Sequence, residues 1–146
     1  MIQSSPISSD ERIVDAMIQL AGAAKSHRMI VAGSNSFEVF LELHRRGYPR
    51  VTTTKTCRAP CGQHDVALVA CREHSIRDLE TTLNALVPFL SDLGILVIWV
   101  GPHQPHQALR LALERLGFRI ESGMCCESGV VVSARRRESN AVAKIA

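Results

Sequence analysis

Gly33-Ser34-Asn35-Ser36 joins a short apolar run, Met29 to Ala32, to an amphipathic stretch carrying Phe37, Phe40, Leu41 and Leu43. A glycine and small polar residues between a buried strand and a helix make a turn that can cradle a ligand against free N–H groups. That is binding chemistry, written with one glycine where nucleotide-binding fingerprints carry two or three. Acid–base chemistry needs a positioned pair. Cys71-Arg72-Glu73-His74-Ser75 offers a carboxylate and an imidazole without a matched partner, and it reads as a polar loop.

Metal chemistry has its nearest approach in Cys57-x3-Cys61-x2-His64, with Cys71 a fourth donor in principle. Structural zinc prefers two well-spaced Cys/His pairs. Here the second pair is missing and Cys71 lies beyond a whole strand, so no metal is expected. A Cys57–Cys61 disulfide would need Cα atoms within about 7 Å. Cys125-Cys126 is expected in a hairpin turn beside Glu127, whose charge disfavours a thiolate. His103 and His106 flank the turn after the most apolar strand, and Gly101-Pro-His-Gln-Pro reads as a surface turn. Arg135-Arg136-Arg137 reads as a solvated tail.

The elements that position these residues follow from periodicity. Residues 1–7 form a disordered lead-in. A capping box at Ser8-Ser-Asp-Glu11 opens a helix with Ile13, Val14, Met17, Ile18 and Ala21 on one face, running to about Lys25. Met29 to Ala32 is the first strand, and the helix after the Gly33 turn stops at Arg45-Arg46-Gly47. Arg50 to Thr54 is a β-branched second strand. Lys55 to His64 is a loop, and Asp65 to Ala70 a third, buried strand. Ser75 opens a helix striped with Ile76, Leu79, Leu83, Leu86 and Leu90, bent by Pro88. Ser91-Asp-Leu-Gly94 turns into Ile95–Val100, apolar without alternation as a strand covered on both faces. Pro105 opens a helix lined by Leu109, Ala112, Leu113 and Leu116. Phe118 to Ser122 and Gly129 to Ala134 are antiparallel strands across a turn at 123–128, because a parallel pair needs a long crossover. Trp99 is core. Residues 8–134 form one α/β domain and 135–146 a loose basic tail.

Composition sets the outer bounds. At 146 residues, 46% hydrophobic and 21% charged, the chain can bury a real core and is not expected to be disordered. The net charge of +3 traces to Arg135–Arg137 and Lys144, which leaves no nucleic-acid footprint on the body. No apolar run approaches the ~20 residues of a membrane helix. The N-terminus lacks the pattern of a secretory signal. Five cysteines, an odd number, are expected as reduced thiols in a cytoplasmic protein.

The order helix, strand, glycine turn, helix, strand, strand, helix, strand, helix, antiparallel pair resembles the Rossmann-like fold of S-adenosylmethionine-dependent methyltransferases. Asp65–Ala70 resembles strand four of that family, Leu86–Ile98 its next helix, glycine turn and strand five, and Leu113–Ile120 its last helix and strand six. The resemblance covers about residues 10–134. It implies a three-layer, mostly parallel sheet closed by a C-terminal antiparallel hairpin. It also implies S-adenosylmethionine or a related nucleoside at Gly33, Ser34, Asn35 and Ser36, with Thr54 and Cys71 at neighbouring strand ends.

Three departures shape the expectation. The glycine-rich loop has become Ala32-Gly-Ser-Asn-Ser36. The acidic ribose ligand at the end of strand two has become Thr54-Lys55-Thr56, losing a charge-assisted bidentate grip. Only Lys55 to His64 stands where the family places a helix, a strand and another helix. Ten residues extend ~33 Å, enough to cross ~10 Å and run back ~17 Å, with little to spare. The sheet is therefore expected to be shortened at the strand-two edge, covered there by the N-terminal helix or another subunit. The residues leave three functions open. One is a methyltransferase-like protein that binds the methyl donor, with no acceptor-side motif to specify catalysis. Another is a non-catalytic scaffold that pairs as a homodimer through its short edge. The last is an NADP-binding module using Lys55 or Arg58.

Overall fold

The computed structural model describes residues 9–55, 57, 61–71, 75–101, 106–126 and 129–137, with only the backbone at 9, 10 and 71. The elements in chain order are α1 (Ser9–Ala21), β1 (Met29–Ala32), α2 (Ser36–Arg45), β2 (Val51–Thr53), β3 (His64–Cys71) and α3 (Ile76–Leu86). A 3₁₀ turn (Val87–Phe89), β4 (Leu90–Val100), α4 (His106–Arg115), β5 (Phe118–Cys126) and β6 (Gly129–Arg136) complete them. One six-stranded sheet has the order β2-β1-β3-β4-β6-β5. β2, β1, β3 and β4 are parallel, whereas β6 runs antiparallel to both β4 and β5. This is the α/β, three-layer, Rossmann-like architecture expected from the sequence.

Strand side chains divide between two apolar layers. Met29, Val31, Val66, Leu68, Val97 and Trp99 meet α1 and α2 on one face. Ile30, Ala67, Val69, Leu96 and Ile98 meet Leu79, Leu83, Leu86, Leu109 and Leu113 of α3 and α4 on the other. Both faces are dry, which is why β1, β3 and the end of β4 show no polar alternation. Trp99 is core, at 1% exposure.

Arg46 bridges α1 and α2: its guanidinium meets Asp15 and the Glu11 carbonyl of α1 and, at 2.6 Å, Glu42 of its own helix. Arg45 pairs with Glu11 at 2.8 Å. The two helices divide the face between them. α2 packs on β1, β2 and β3, while α1 packs on β4, β6 and β5. α1 therefore does not supply the expected cover for β2, because its apolar stripe is spent at the other end of the sheet.

Several boundaries differ from those read in the sequence. α1 ends at Ala21, not near Lys25, with Gly22 in the left-handed region behind it. α3 stops at Leu86, because Pro88 lacks the N–H that would continue it, and Leu90 opens β4 instead of closing the helix stripe. Leu90 is buried and pairs with His64, while Val66 pairs with Ile95; residues 91–94 form an irregularity inside the strand. Their turn-like composition is that of a bulge. After an irregularity between Ile120 and Ser122, β5 continues in register with β6 to Cys126, so Cys125 and Cys126 lie in a strand and not in a turn. Burial raises the Cys126 thiol pKa, with Cys125 beside it acting in the same direction.

The C-terminal arginine run also begins inside the fold. Arg135 pairs with Glu121 at 2.9 Å and donates to the Leu93 carbonyl, closing the irregular start of β4. Arg136 donates to the carbonyls of Val87 and Leu90 and stacks over Phe118. The Ser8 cap, Pro105, residues 1–7 and residues 138–146 lie outside the described residues.

One buried polar side chain ties the lower sheet together. His64 is 2% exposed, and its Nδ1–H donates to the Phe89 carbonyl at 3.2 Å. Nε2 then carries the lone pair, facing the Thr52 hydroxyl at 3.5 Å and Cys57 Sγ at 3.9 Å. Burial pushes its pKa below the usual histidine value and nearby Arg28 adds to this, against the pull of the Phe89 carbonyl and Asp65.

Two predictions follow from this packing. Gly129 has φ +147, and a Cβ there would overlap the Val100 carbonyl oxygen and lie 3.1 Å from Trp99 Nε1. Gly129→Ala should cost ~3 kcal/mol or more in urea unfolding. Gly62→Ala, with no atom within 4 Å of its Cβ, should cost only the backbone strain of about 1–2 kcal/mol. The unfolded chain protonates His64 more readily than the folded one below about pH 6.5. Stability is then fully present above that pH and falls as the pH drops toward the lower folded value. The wild-type urea midpoint should fall further between about pH 7.5 and pH 5.5 than that of His64→Gln; equal losses would contradict the assignment.

Candidate functional site

β1 ends at Ala32 because Gly33, at φ +107, turns the chain out of the sheet. An L side chain rarely adopts that conformation, which accounts for a glycine where the strand meets the helix. The turn is tied down by its backbone. The Asn35 N–H donates to the Ala70 carbonyl of β3 at 3.0 Å, and the Ser36 N–H to the Gly33 carbonyl at 3.2 Å. The Ser34 hydroxyl donates to Asn35 Oδ1 at 3.1 Å, and Asn35 makes no side-chain cap to α2. Asn35 is thus a locking residue, its N–H turned toward β3.

Beside the turn, the Thr54 N–H donates to the Val31 carbonyl at 3.3 Å and carries the β1–β2 pairing one residue past β2. Thr54 and Lys55 therefore stand next to Gly33 at the carboxyl rim. Together with Ala32, Ser34 and Ser36 they line a cleft of about 380 Å³, bounded on its far side by Thr81, Thr82 and Ala85 of α3. That volume lies at the lower end of small-molecule sites, ~300–1,000 Å³. Of the residues expected to hold a cofactor, Gly33, Ser34, Ser36 and Thr54 come together here. Asn35 supports the turn from behind. Cys71 is the last residue of β3, paired with Val100, and its side chain lies outside the described residues.

The α3 wall was not legible in the sequence. Thr81, Thr82 and Ala85 are small residues on the polar flank of an amphipathic helix, and that pattern ordinarily marks solvent. The short link after β2, with no helix among its described residues, leaves the flank as a wall. Ser75, by contrast, opens α3 as expected, its hydroxyl accepting from the Asp78 N–H at 3.2 Å.

Among the described residues the lining contains no carboxylate. A ribose hydroxyl reaching Thr54 would find a neutral hydroxyl, and a ligand phosphate or carboxylate would find Lys55 as its cation. The other candidates disperse. Cys57 approaches His64, Cys61 is exposed, and no three His, Cys, Asp or Glu side chains converge on a metal-sized site among the described residues. His106 is exposed at the start of α4. Glu73, His74, His103, Thr56, Arg58 and Glu127 lie outside the described residues. No helix among the described residues is long and apolar enough to cross a membrane.

No protein-family profile matches the chain, and no curated protein sequence matches it. Solved structures do. The magnesium protoporphyrin IX methyltransferase of Synechocystis, solved with bound SAH, superposes with a TM-score of 0.63 at 11% identity, over 94% of this chain and 90% of that one. The precorrin-6y C5,15-methyltransferase of Geobacter metallireducens gives 0.61 at 12%, over 94% of both chains. A precorrin 8w decarboxylase from Methanobacterium thermoautotrophicum gives 0.55 at 16%, over 86% of this chain and 90% of that one. At such identities the likeness speaks for architecture, and a fold does not carry its reaction with it. The chain has the Rossmann-like fold of the S-adenosylmethionine-dependent methyltransferases, shortened at the β2 edge.

Proposed function

We propose that this protein binds S-adenosylmethionine, or a nucleoside of the same shape, in the carboxyl-rim cleft between Gly33 and Thr54. The observation that carries this reading is the convergence of the Gly33 turn, Ser36 at the start of α2 and Thr54 past the end of β2 on one cleft. In open α/β sheets, ligands settle beyond the carboxyl ends of the strands. The methyltransferase fold of the neighbours supports the choice of ligand. Gly33 gives the ligand backbone access, the small Ser34 and Ser36 leave room, and Thr54 offers a hydroxyl to the ribose. The reading stops at binding, because among the described residues Lys55 is the only ionisable side chain in the lining.

The missing carboxylate makes the binding weak. A hydrogen bond to a charged group contributes ~1.5–3 kcal/mol, so its loss costs roughly ten- to a hundredfold in affinity. Calorimetric titration should give a Kd of about 0.1–1 mM for S-adenosylhomocysteine. Thr54→Asp should tighten it by about tenfold, whereas Gly33→Val should abolish it. No heat at millimolar ligand, or no gain from Thr54→Asp, would count against the reading.

A second reading rests on a separate observation. Phe37 and Leu41 of α2 are 64% and 50% exposed. Glu42 and Arg46 take the α1 side of α2, while Leu41 and Phe37 stand one and two turns before Arg45 on the outward crest of the helix, Phe37 turned furthest from the α1 side. An outermost strand with no further strand paired to it among the described residues, beside exposed apolar helix residues, is a surface for a second copy of the chain. Sedimentation of the wild type should show a homodimer and Leu41→Glu should shift it to monomer. A strict monomer at high concentration would dismiss the scaffold.

A further inference from the structure

The second cleft on the same sheet lies at the opposite, amino rim. Arg28, Pro49, Arg50, Val51, Thr52 and His64 enclose about 310 Å³. Strand register explains how two arginines arrive there together. Met29 pairs with Val51 and with Val66, so Arg28 stands between Arg50 on one side and Asp65 on the other. The backbone fixes this row: the Met29 N–H donates to the Arg50 carbonyl at 2.8 Å, and the Asp65 N–H to the Arg28 carbonyl at 2.8 Å.

Side by side on parallel strands, the stems of Arg28 and Arg50 are ~4.8 Å apart, and adjacent like charges are unfavourable. Asp65 offsets only one of the two, and its Oδ2 already accepts from the Arg28 backbone N–H at 2.9 Å. The Arg28 guanidinium has one long contact, 3.5 Å to Gln63 Oε1. Among the described residues the Arg50 guanidinium has no acceptor. Thr52 places a hydroxyl deeper in the cleft, while Pro49 and Val51 give it an apolar side.

We propose that the amino-rim cleft is a second binding site, distinct from the Gly33 cleft, for a phosphate monoester carried on a small apolar body. Two guanidinium forks present more donors than a carboxylate with two oxygens can take up, whereas a phosphate offers three terminal oxygens and up to two charges. Arg28 and Arg50 grip the phosphate from adjacent strands, and Pro49 and Val51 contact the organic portion. Arg50, whose guanidinium has no acceptor among the described residues, is the residue on which affinity depends most.

The test is calorimetry on the full chain with phenyl phosphate, benzoate and inorganic phosphate, alongside NMR of the His64 ring. Phenyl phosphate should bind at least about tenfold tighter than benzoate, and inorganic phosphate should compete with it. Arg50→Ala should weaken phenyl phosphate by about tenfold or more, and Arg50→Lys should fall between, since an ammonium keeps the charge but not the fork. Arg50 is exposed, so both variants should unfold at the wild-type urea midpoint. The His64 ring signals should move with phenyl phosphate, and saturating S-adenosylhomocysteine should not displace it. The proposal is overturned by no heat at about 10 mM phenyl phosphate, equal affinity for benzoate, no competition by inorganic phosphate, an unchanged Arg50→Ala variant or displacement by S-adenosylhomocysteine.

Discussion

The link between β2 and β3 constrains everything on the functional side of this molecule. Ten residues, Lys55 to His64, return the chain from the carboxyl rim to the amino rim across β1. A crossover of that length cannot carry a packed helix, so it lays down a loop. Its described parts run on the α3 side: Cys57 packs into the apolar layer under α3, and the Gly62 N–H donates to the Pro88 carbonyl. β2 becomes the outermost strand, with Thr52 and Thr54 half-buried on the face where a helix is missing. Both clefts open beside that strand, one at each rim. His64, where the link re-enters the sheet, is buried and bonded at the point of greatest turn.

The fold was largely legible because its signals are redundant. Val66–Ala70 and Ile95–Val100 are apolar without alternation, and only a doubly covered strand tolerates that. Gly33 and Gly117 punctuate where the backbone needs a positive φ. The shortened edge was implied by the resemblance, which places a helix, a strand and another helix where this chain has ten residues, and the reach of those ten residues showed that the link fits. What stayed hidden were elements whose local composition argued against their role. Ser91-Asp-Leu-Gly94 carries turn residues yet bulges within β4, because Leu90 beyond it is drawn into the core. Gly123 to Cys126 reads as turn chemistry yet remains paired with β6, because register is set by the partner strand. Arg135 and Arg136 read as solvated, yet their acceptors, the Leu93, Val87 and Leu90 carbonyls, come from the irregular start of β4.

The candidate site was legible where the backbone dictates it and illegible where it depends on the short link after β2. Gly33, Ser34, Ser36 and Thr54 follow from a strand–turn–helix and a strand end, features local to the sequence. Thr81, Thr82, Ala85, Arg28 and Arg50 line clefts beside β2 because the link after it is too short for a packed helix, and no local pattern records that. Like-charge neighbours across a parallel ladder are equally invisible in one dimension, since Arg28 and Arg50 are 22 positions apart in the chain. Fold resemblance and site chemistry also pull in different directions here. The architecture is that of methyl-donor-binding proteins, while the strand-two carboxylate that grips their ribose is replaced by a threonine. The proposed weak, backbone-dominated nucleoside site is the reading that satisfies both.

The most direct test of that account is a titration of isotope-labelled protein with S-adenosylhomocysteine, followed by amide NMR. The account predicts saturable shifts concentrated at Gly33, Ser34, Ser36, Thr54 and Lys55, with the Arg28–Arg50 rim unmoved. Shifts absent from the Gly33 turn, or confined to the amino rim, would contradict it.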